Sequence, residues 1–285
     1  MNTTTLHFEP SSKSLPSVAF IGGGNMSSAL IGGLLGAGAI SAHILVVEPF
    51  AEQRQRLQQR FGGVRLLPAP DAQLREAQAV VWAVKPQQFA QAALECRPHL
   101  ADALHVSIMA GVRCAAIARR TGAQRMVRTM PNTPALIGQG ITGLYASAQA
   151  STDDRALADA LLAPAGRRAW VEREDLLDAV TAVSGSGPAY AFYLAEAMSR
   201  AGEELGLTAA QARELALATL AGAAALAQGS SEPLTTLRAN VTSKGGTTAA
   251  ALDVFDSADM QTTIARALHA AAQRAKELGD ALDAD

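Results

Sequence analysis

Apolar positions in the first part of the chain fall in short continuous runs, separated by stretches where they recur at helical spacing. SVAFI, opening at Ser17, leads into the helical MSSALIGGLLGAG; ILVVE follows, then the charged, helix-prone AEQRQRLQQRF. AVVWAV is apolar without a break, as suits a strand covered on both faces. LHVSIM, RMVRTM and GLYAS are further strand candidates. Short strands alternating with helices predict a parallel, doubly wound sheet from Ser17 to about Val171.

After Asp175 the pattern changes. Strand-like runs disappear, and Ala and Leu dominate. One helix is expected over Ala189–Leu205, broken by Gly206. Thr208 and Gln211 then form a capping-box pattern for a second helix ending near Gln228–Gly229. A shorter helix follows Pro233, then the loop TSKGGTT, then AAALDVF, and a last amphipathic run from about Met260 to Leu278. Alanine-rich helices pack closely but offer little bulk for a private core, so a second copy is expected to complete them. The expected division is a disordered tail over residues 1–16, a sheet domain over 17–173 and a helical domain over 174–285.

Composition narrows the function. The 285 residues suffice for two domains, and 49% hydrophobic against 18% charged residues suits a folded protein. A net charge of −2 provides no basic field for nucleic acid. Cys96 and Cys114 show neither CxxC nor Cys/His ligand spacing, so reduced thiols and no metal are expected. The N-terminal MNTTTLHFEPSSKSLP lacks the marks of a signal or transit peptide. The most membrane-like run, Leu215–Ala227, is too short to span a bilayer. A cytoplasmic location without membrane attachment is the expectation.

Chemistry enters at the first strand. Gly22-Gly23-Gly24-Asn25-Met26-Ser27 reads G-x-G-x-x-S, with Ser27 in place of the third glycine of a dinucleotide fingerprint. Gly22 permits the tight turn, and Gly24 lets the backbone approach a pyrophosphate at the helix N-terminus. Glu48 ends the next strand where an acid grips a ribose, which favours NAD over NADP; Arg54 and Arg56, just beyond, bear the opposite way or simply form a solvated helix face. AVKPQ (Ala83–Gln87), MAG (Met109–Gly111) and MPNTP (Met130–Pro134) end three strands where such sheets bind ligands. None of the five histidines lies in these motifs, leaving Lys85, Lys244, Tyr190 and some hydroxyls as candidate proton donors.

In order, FIGGGNM, AVKP, MAG, RTMPNTPAL, DLLDAVTAVSGSGPAYAF and NVTSKGGTT closely resemble the pyrroline-5-carboxylate reductases, and the match runs from Ser17 nearly to the C-terminus. The resemblance implies an α/β fold: an N-terminal Rossmann-like doubly wound parallel sheet, followed by an all-α dimerisation domain. It implies hydride transfer from NADPH or NADH to the C=N bond of L-1-pyrroline-5-carboxylate, giving L-proline in the last step of its biosynthesis. A cyclic imine carries its own proton as an iminium, so the absent histidine fits.

By position, the resemblance gives cofactor roles to Gly22, Gly24, Asn25, Met26, Val84, Lys85, Pro86, Ala110 and Asn240, beside Glu48 from the strand-end argument. Substrate roles fall to Glu174, Val241, Gly245, Gly246, Thr247 and Thr248. The amides of Gly245, Gly246 and Thr247 would hold the substrate carboxylate, and the Thr248 hydroxyl would serve as the catalytic group at the imine nitrogen. Ser184–Gly187 resemble the turn that seats the first long helix. The other reading of the loop is that Thr247 or Thr248 merely caps the next helix.

Two positions depart from the family. Lys244 stands where Pro is usual, and is expected to strengthen carboxylate binding without being required. Glu48 stands where hydroxyl residues are often seen, which makes NADH a serious candidate. A homodimer is implied, with a homodecamer beyond it. Two rivals remain at this stage: a hydroxyacid dehydrogenase using Lys244, and a non-catalytic dinucleotide sensor.

Overall fold

A computed structural model describes residues 16–284. The tail expected over residues 1–16 lies, but for Pro16, outside them. The chain divides into two compact units. One runs to Leu177 and takes in Leu278 onward; the other is Asp178–Glu277.

The first unit is an eight-stranded sheet: β1 (Val18–Ile21), β2 (Ile44–Val47), β3 (Arg65–Leu67), β4 (Ala79–Trp82), β5 (Leu104–Ser107), β6 (Met126–Met130), β7 (Gly140–Ala146) and β8 (Gly166–Trp170). The strand order is β3-β2-β1-β4-β5-β6-β7-β8. Every pairing is parallel except β6–β7. The link from Met130 to Gly140 is too short for a parallel crossover, so β7 must return beside β6 in the opposite sense.

Helices α1 (Asn25–Gly36), α2 (Ala51–Arg60), α3 (Phe89–Cys96), α4 (Cys114–Thr121) and α5 (Thr152–Leu162) cover the sheet. Strand side chains alternate between two cores. Val18 and Phe20 join Leu30, Ile31 and Leu34 of α1 on one face; Ala19 and Ile21 join Phe89 and Ala93 of α3 and Ile117 of α4 on the other. Covered on both sides, β4 is buried throughout, which is why its sequence is an unbroken apolar run. The edge strands β3 and β8 carry no such run. β3 has three residues, and Arg167 and Arg168 of β8 are exposed.

The remaining helices are α6 (Leu176–Val180), α7 (Gly187–Glu204), α8 (Ala209–Gln228), α9 (Leu234–Asn240), α10 (Thr247–Ser257) and α11 (Met260–Ala284). A π-helical turn, Thr181–Gly185, joins α6 to α7. At the α7–α8 contact a Cβ on Gly202 would come within 3.0 Å of the Ala212 Cβ. The two helices therefore lie backbone to backbone. The second unit keeps little core of its own: α8 buries only Ala212 and Ala216, while Phe192 is 66% exposed and Tyr193 76%. Among the described residues no helix is long and apolar enough to cross a membrane.

Candidate active site

The glycine turn is crowded at its first two glycines and open at the third. Gly22 has φ +98°, and a Cβ there would come within 2.8 Å of the Ala83 carbonyl oxygen at the end of β4. At Gly24 a Cβ would meet nothing within 4 Å. Gly24 is the N-cap of α1 and no side chain caps that helix. Its first amides are thus left for an anion, with open space in front of them. Ser27, at the third-glycine position, donates its hydroxyl to the Gly22 carbonyl at 2.7 Å and braces the turn from within.

Glu48 has an occupation that its strand-end position did not foretell. One carboxylate oxygen accepts the Gly23 N–H at 2.9 Å, and the other accepts the Phe50 N–H at 2.9 Å. Gln53, from α2, donates to the Gly23 carbonyl at 2.6 Å. Arg54 turns back onto the carbonyls of Glu48 and Pro49 at 2.7 and 2.8 Å, so its guanidinium closes the β2–α2 turn. Arg56 stays on an exposed face near Glu52. Neither Ser27 nor Gln53 was assigned a role from sequence. Ser27 carries a signal, as the substituted glycine of the fingerprint; Gln53, on a polar helix, carries none.

A groove of about 990 Å³ opens over this turn. That volume suits a cofactor-sized ligand. Gly22, Gly24, Glu48, Val84 and Lys85 line it, while Asn25, Met26, Pro86 and Ala110 do not. An open glycine turn, an uncapped helix N-terminus and a long groove at the carboxyl ends of parallel strands fit a nicotinamide dinucleotide. No cluster of three or more His, Cys, Asp or Glu suited to a metal occurs among the described residues.

Glu174 also lies in the first unit. Its Oε1 accepts the backbone N–H of Cys114 at 2.8 Å and Nη1 of buried Arg128 at 3.2 Å. It thereby caps the N-terminus of α4, which the N-cap residue Arg113 leaves without a side-chain bond. Burial, reinforced by Glu174, pushes the Cys114 thiol up to about 12.

In the second unit, α9 ends at Asn240, whose amide donates to Glu232 at 3.2 Å, and Val241 is exposed. Gly245 has φ +71°. Gly246 packs so closely on Ser243 that a Cβ would collide with it. Gly246 is also the N-cap of α10, and no side chain caps this helix. The first intrahelical bond runs from Ala250 N to Gly246 O, leaving the amides of Thr247, Thr248 and Ala249 ahead of the ladder. Lys244, Thr247 and Thr248 are exposed. The threonines therefore stand inside the first turn instead of at its cap position. Ser184 donates to the Val180 carbonyl at 3.0 Å within the π-helical turn.

Comparison with known proteins accounts for both units. A family model described as pyrroline-5-carboxylate reductase dimerisation matches residues 174–278. One described as NADP oxidoreductase, coenzyme F420-dependent, matches residues 17–111. A pyrroline-5-carboxylate reductase of Pseudomonas aeruginosa is 44% identical, the match covering 94% of this chain and 99% of that one. The Pisum sativum enzyme is 33% identical over 92% of this chain and 95% of its own. Among solved structures, a pyrroline-5-carboxylate reductase from Coxiella burnetii superposes with a TM-score of 0.86 at 36% identity, covering 93% of this chain and 99% of that one. A Plasmodium falciparum pyrroline carboxylate reductase with NADP bound gives 0.81 at 25% identity, covering 94% and 100%. With such identity sustained along nearly its whole length, the chain belongs to the pyrroline-5-carboxylate reductase family.

Proposed function

We propose that this protein reduces the C=N bond of L-1-pyrroline-5-carboxylate with a hydride from NADPH or NADH, giving L-proline. The observation that carries the reading is the N-terminus of α10: an eleven-residue helix, uncapped, entered through two glycines and presenting an exposed Thr248 in its first turn. Free amides at a helix start suit a carboxylate, and a hydroxyl beside them suits the ring nitrogen of an imino acid.

In this reading the α1 N-terminus and Gly24 hold the pyrophosphate, with Val84 and Lys85 alongside. The bound dinucleotide supplies the hydride. Gly245, Gly246 and Thr247 hold the substrate carboxylate by their amides, and Thr248 donates a hydrogen bond to the nitrogen. C5 gains the hydride while the nitrogen keeps the proton of its iminium form, so no strong acid is required. Lys244 adds a cation beside the carboxylate site. Glu174 supports the start of α4 through Cys114 and Arg128, and Asn240 and Val241 flank the α10 loop in sequence.

The chain is an NAD(P)H oxidoreductase that self-associates, as its family does. The exposed aromatic and aliphatic side chains of α7 and α8 support a homodimer. Further assembly to a homodecamer, a cytoplasmic location, and a division into a dinucleotide domain over 17–173 and a substrate and dimerisation domain over 174–285 belong to the same reading.

The test follows the oxidation of NADPH and of NADH, side by side, with pyrroline-5-carboxylate and with small 2- and 3-keto acids. Turnover of the imine alone is expected. Turnover of a keto acid instead, or cofactor binding without turnover of either, would overturn the assignment.

A further inference from the structure

The loop from β5 to α4, Ile108–Arg113, carries Ala110 and is gripped from outside the sheet by the last residues of the chain. Gly111, at φ +79°, approaches Gly279 of α11 so closely that a Cβ on Gly279 would lie 3.2 Å from the Gly111 carbonyl oxygen. Arg113 reaches across with both nitrogens of its fork: Nη2 to Asp280 Oδ1 at 2.6 Å and Nη1 to Asp283 Oδ2 at 2.7 Å. Arg119, from α4, donates to the Asp283 carbonyl at 3.1 Å. Between them Leu282 packs on the core face shared by β4, α3 and α4. Two backbones in close approach, a two-pronged charged bond and a half-buried leucine meet at Gly111 and Arg113 of this loop.

We propose that Gly279–Asp283 is a clasp that holds the β5–α4 loop in its cofactor-binding position, with Arg113, Asp280 and Asp283 as positioning residues. The proposal rests on the proposed reductase function and on the cofactor role that the family resemblance gives Ala110, which lies outside the lining of the groove over the glycine turn. The loop's own sequence explains why a clasp is needed. Met109 and Val112 are buried in the core, but between them Gly111 adopts a left-handed conformation and Ala110 is exposed, so this middle stretch is not held by side chains of its own. Glu174 fixes the start of α4 from the other side, so Arg113 sits between two anchors. The acidic pair at Asp280 and Asp283 is therefore part of the nucleotide-binding machinery, although it closes a helix that begins in the other unit.

The test compares the wild type with Asp280→Asn/Asp283→Asn, Arg113→Gln and Arg113→Lys. It reads reduced-cofactor affinity from nicotinamide fluorescence without substrate, amide exchange over residues 108–113, and the kinetic constants. Replacing a pair of charge-assisted hydrogen bonds should weaken NADPH and NADH binding alike by about tenfold and raise loop exchange, with the KM for pyrroline-5-carboxylate unmoved. Arg113→Lys should recover part of both effects, since one charge remains. If Arg113→Gln fails to fold, the double asparagine variant, altered at the chain end, carries the test. Unchanged loop exchange, or faster exchange with unchanged cofactor affinity, would overturn the proposal. Because affinity and exchange are read without turnover, the clasp is tested even if the wild type proves inactive on the imine.

Discussion

The Glu48 carboxylate accepts the Gly23 amide at 2.9 Å, joining the end of β2 to the middle of the glycine turn. A second bond to Phe50 N engages its other oxygen, and the residue is 6% exposed. A carboxylate held in this way shapes the turn at which the pyrophosphate is proposed to bind. The same acid could grip a ribose only with its remaining lone pairs.

Glu48→Ala separates the two roles. Loss of a buried acceptor that serves two amides should cost roughly 1–3 kcal/mol of stability. If the acid chiefly pins the turn, affinity for NADH and NADPH falls together; if it chiefly binds ribose, the ratio between them shifts toward NADPH. Urea unfolding and parallel fluorescence titrations with both cofactors measure the pair. We expect the first result.

Gly22 and Gly24 should respond differently to the same methyl group. Gly22→Ala forces a side chain at φ +98° into the Ala83 carbonyl, and should cost roughly 1–3 kcal/mol or more. Gly24→Ala meets no neighbour within 4 Å, so the melting temperature should hardly move. Its Cβ projects into the approach to α1, so cofactor affinity should drop. A normal dissociation constant for folded Gly24→Ala would remove the pyrophosphate from this place.

Thr248 is exposed in the first turn of α10, where its methyl and hydroxyl support no core. Thr248→Ala should therefore change stability by less than about 0.5 kcal/mol. As the loss of one donor at developing charge, it should lower kcat by about 10²-fold with cofactor affinity retained. Thr248→Ser should keep most of the rate. Equal rates for the wild type and the alanine variant would show that the hydroxyl plays no part in the chemistry.

His105 of β5 is buried, and its Nδ1 accepts the Trp82 indole N–H at 2.9 Å. Burial, helped by the charge of Arg125, lowers its pKa from 6.5 to about 4. Below 6.5 the unfolded chain binds a proton that the folded chain refuses until about 4. Stability from this residue is thus complete above the higher value and lost as pH falls through the window, by roughly 3 kcal/mol in all. His105→Gln should start less stable and show a shallower loss toward acid, read from urea unfolding at about pH 7 and about pH 4.5. A slope unchanged by the substitution would place the acid sensitivity elsewhere.

Much of this molecule was legible without coordinates. The unbroken run AVVWAV required a strand buried on both faces, and Thr208 with Gln211 marked a helix start that the structure builds as a reciprocal cap. Local patterns of this kind report on the neighbours a residue must have, because period and capping act within a few positions. The edge strands escaped notice because pairing on one side only needs no apolar run. The reversal at β7 followed from the length of a connection, which no periodicity shows. Sequence also marked the two glycine loops, which the structure places at the uncapped starts of α1 and α10.

Only the tertiary structure decided what shares a neighbourhood across long separations. Glu48 lies 25 positions from Gly23, Glu174 lies 60 from Cys114, and Arg113 lies 170 from Asp283. Each pair joins charges or amides whose spacing along the chain carries no information, because parallel crossovers and a returning helix end bring them together. The sequence determined which residue types stand at each turn; the fold alone determined which of them hold the turns in place.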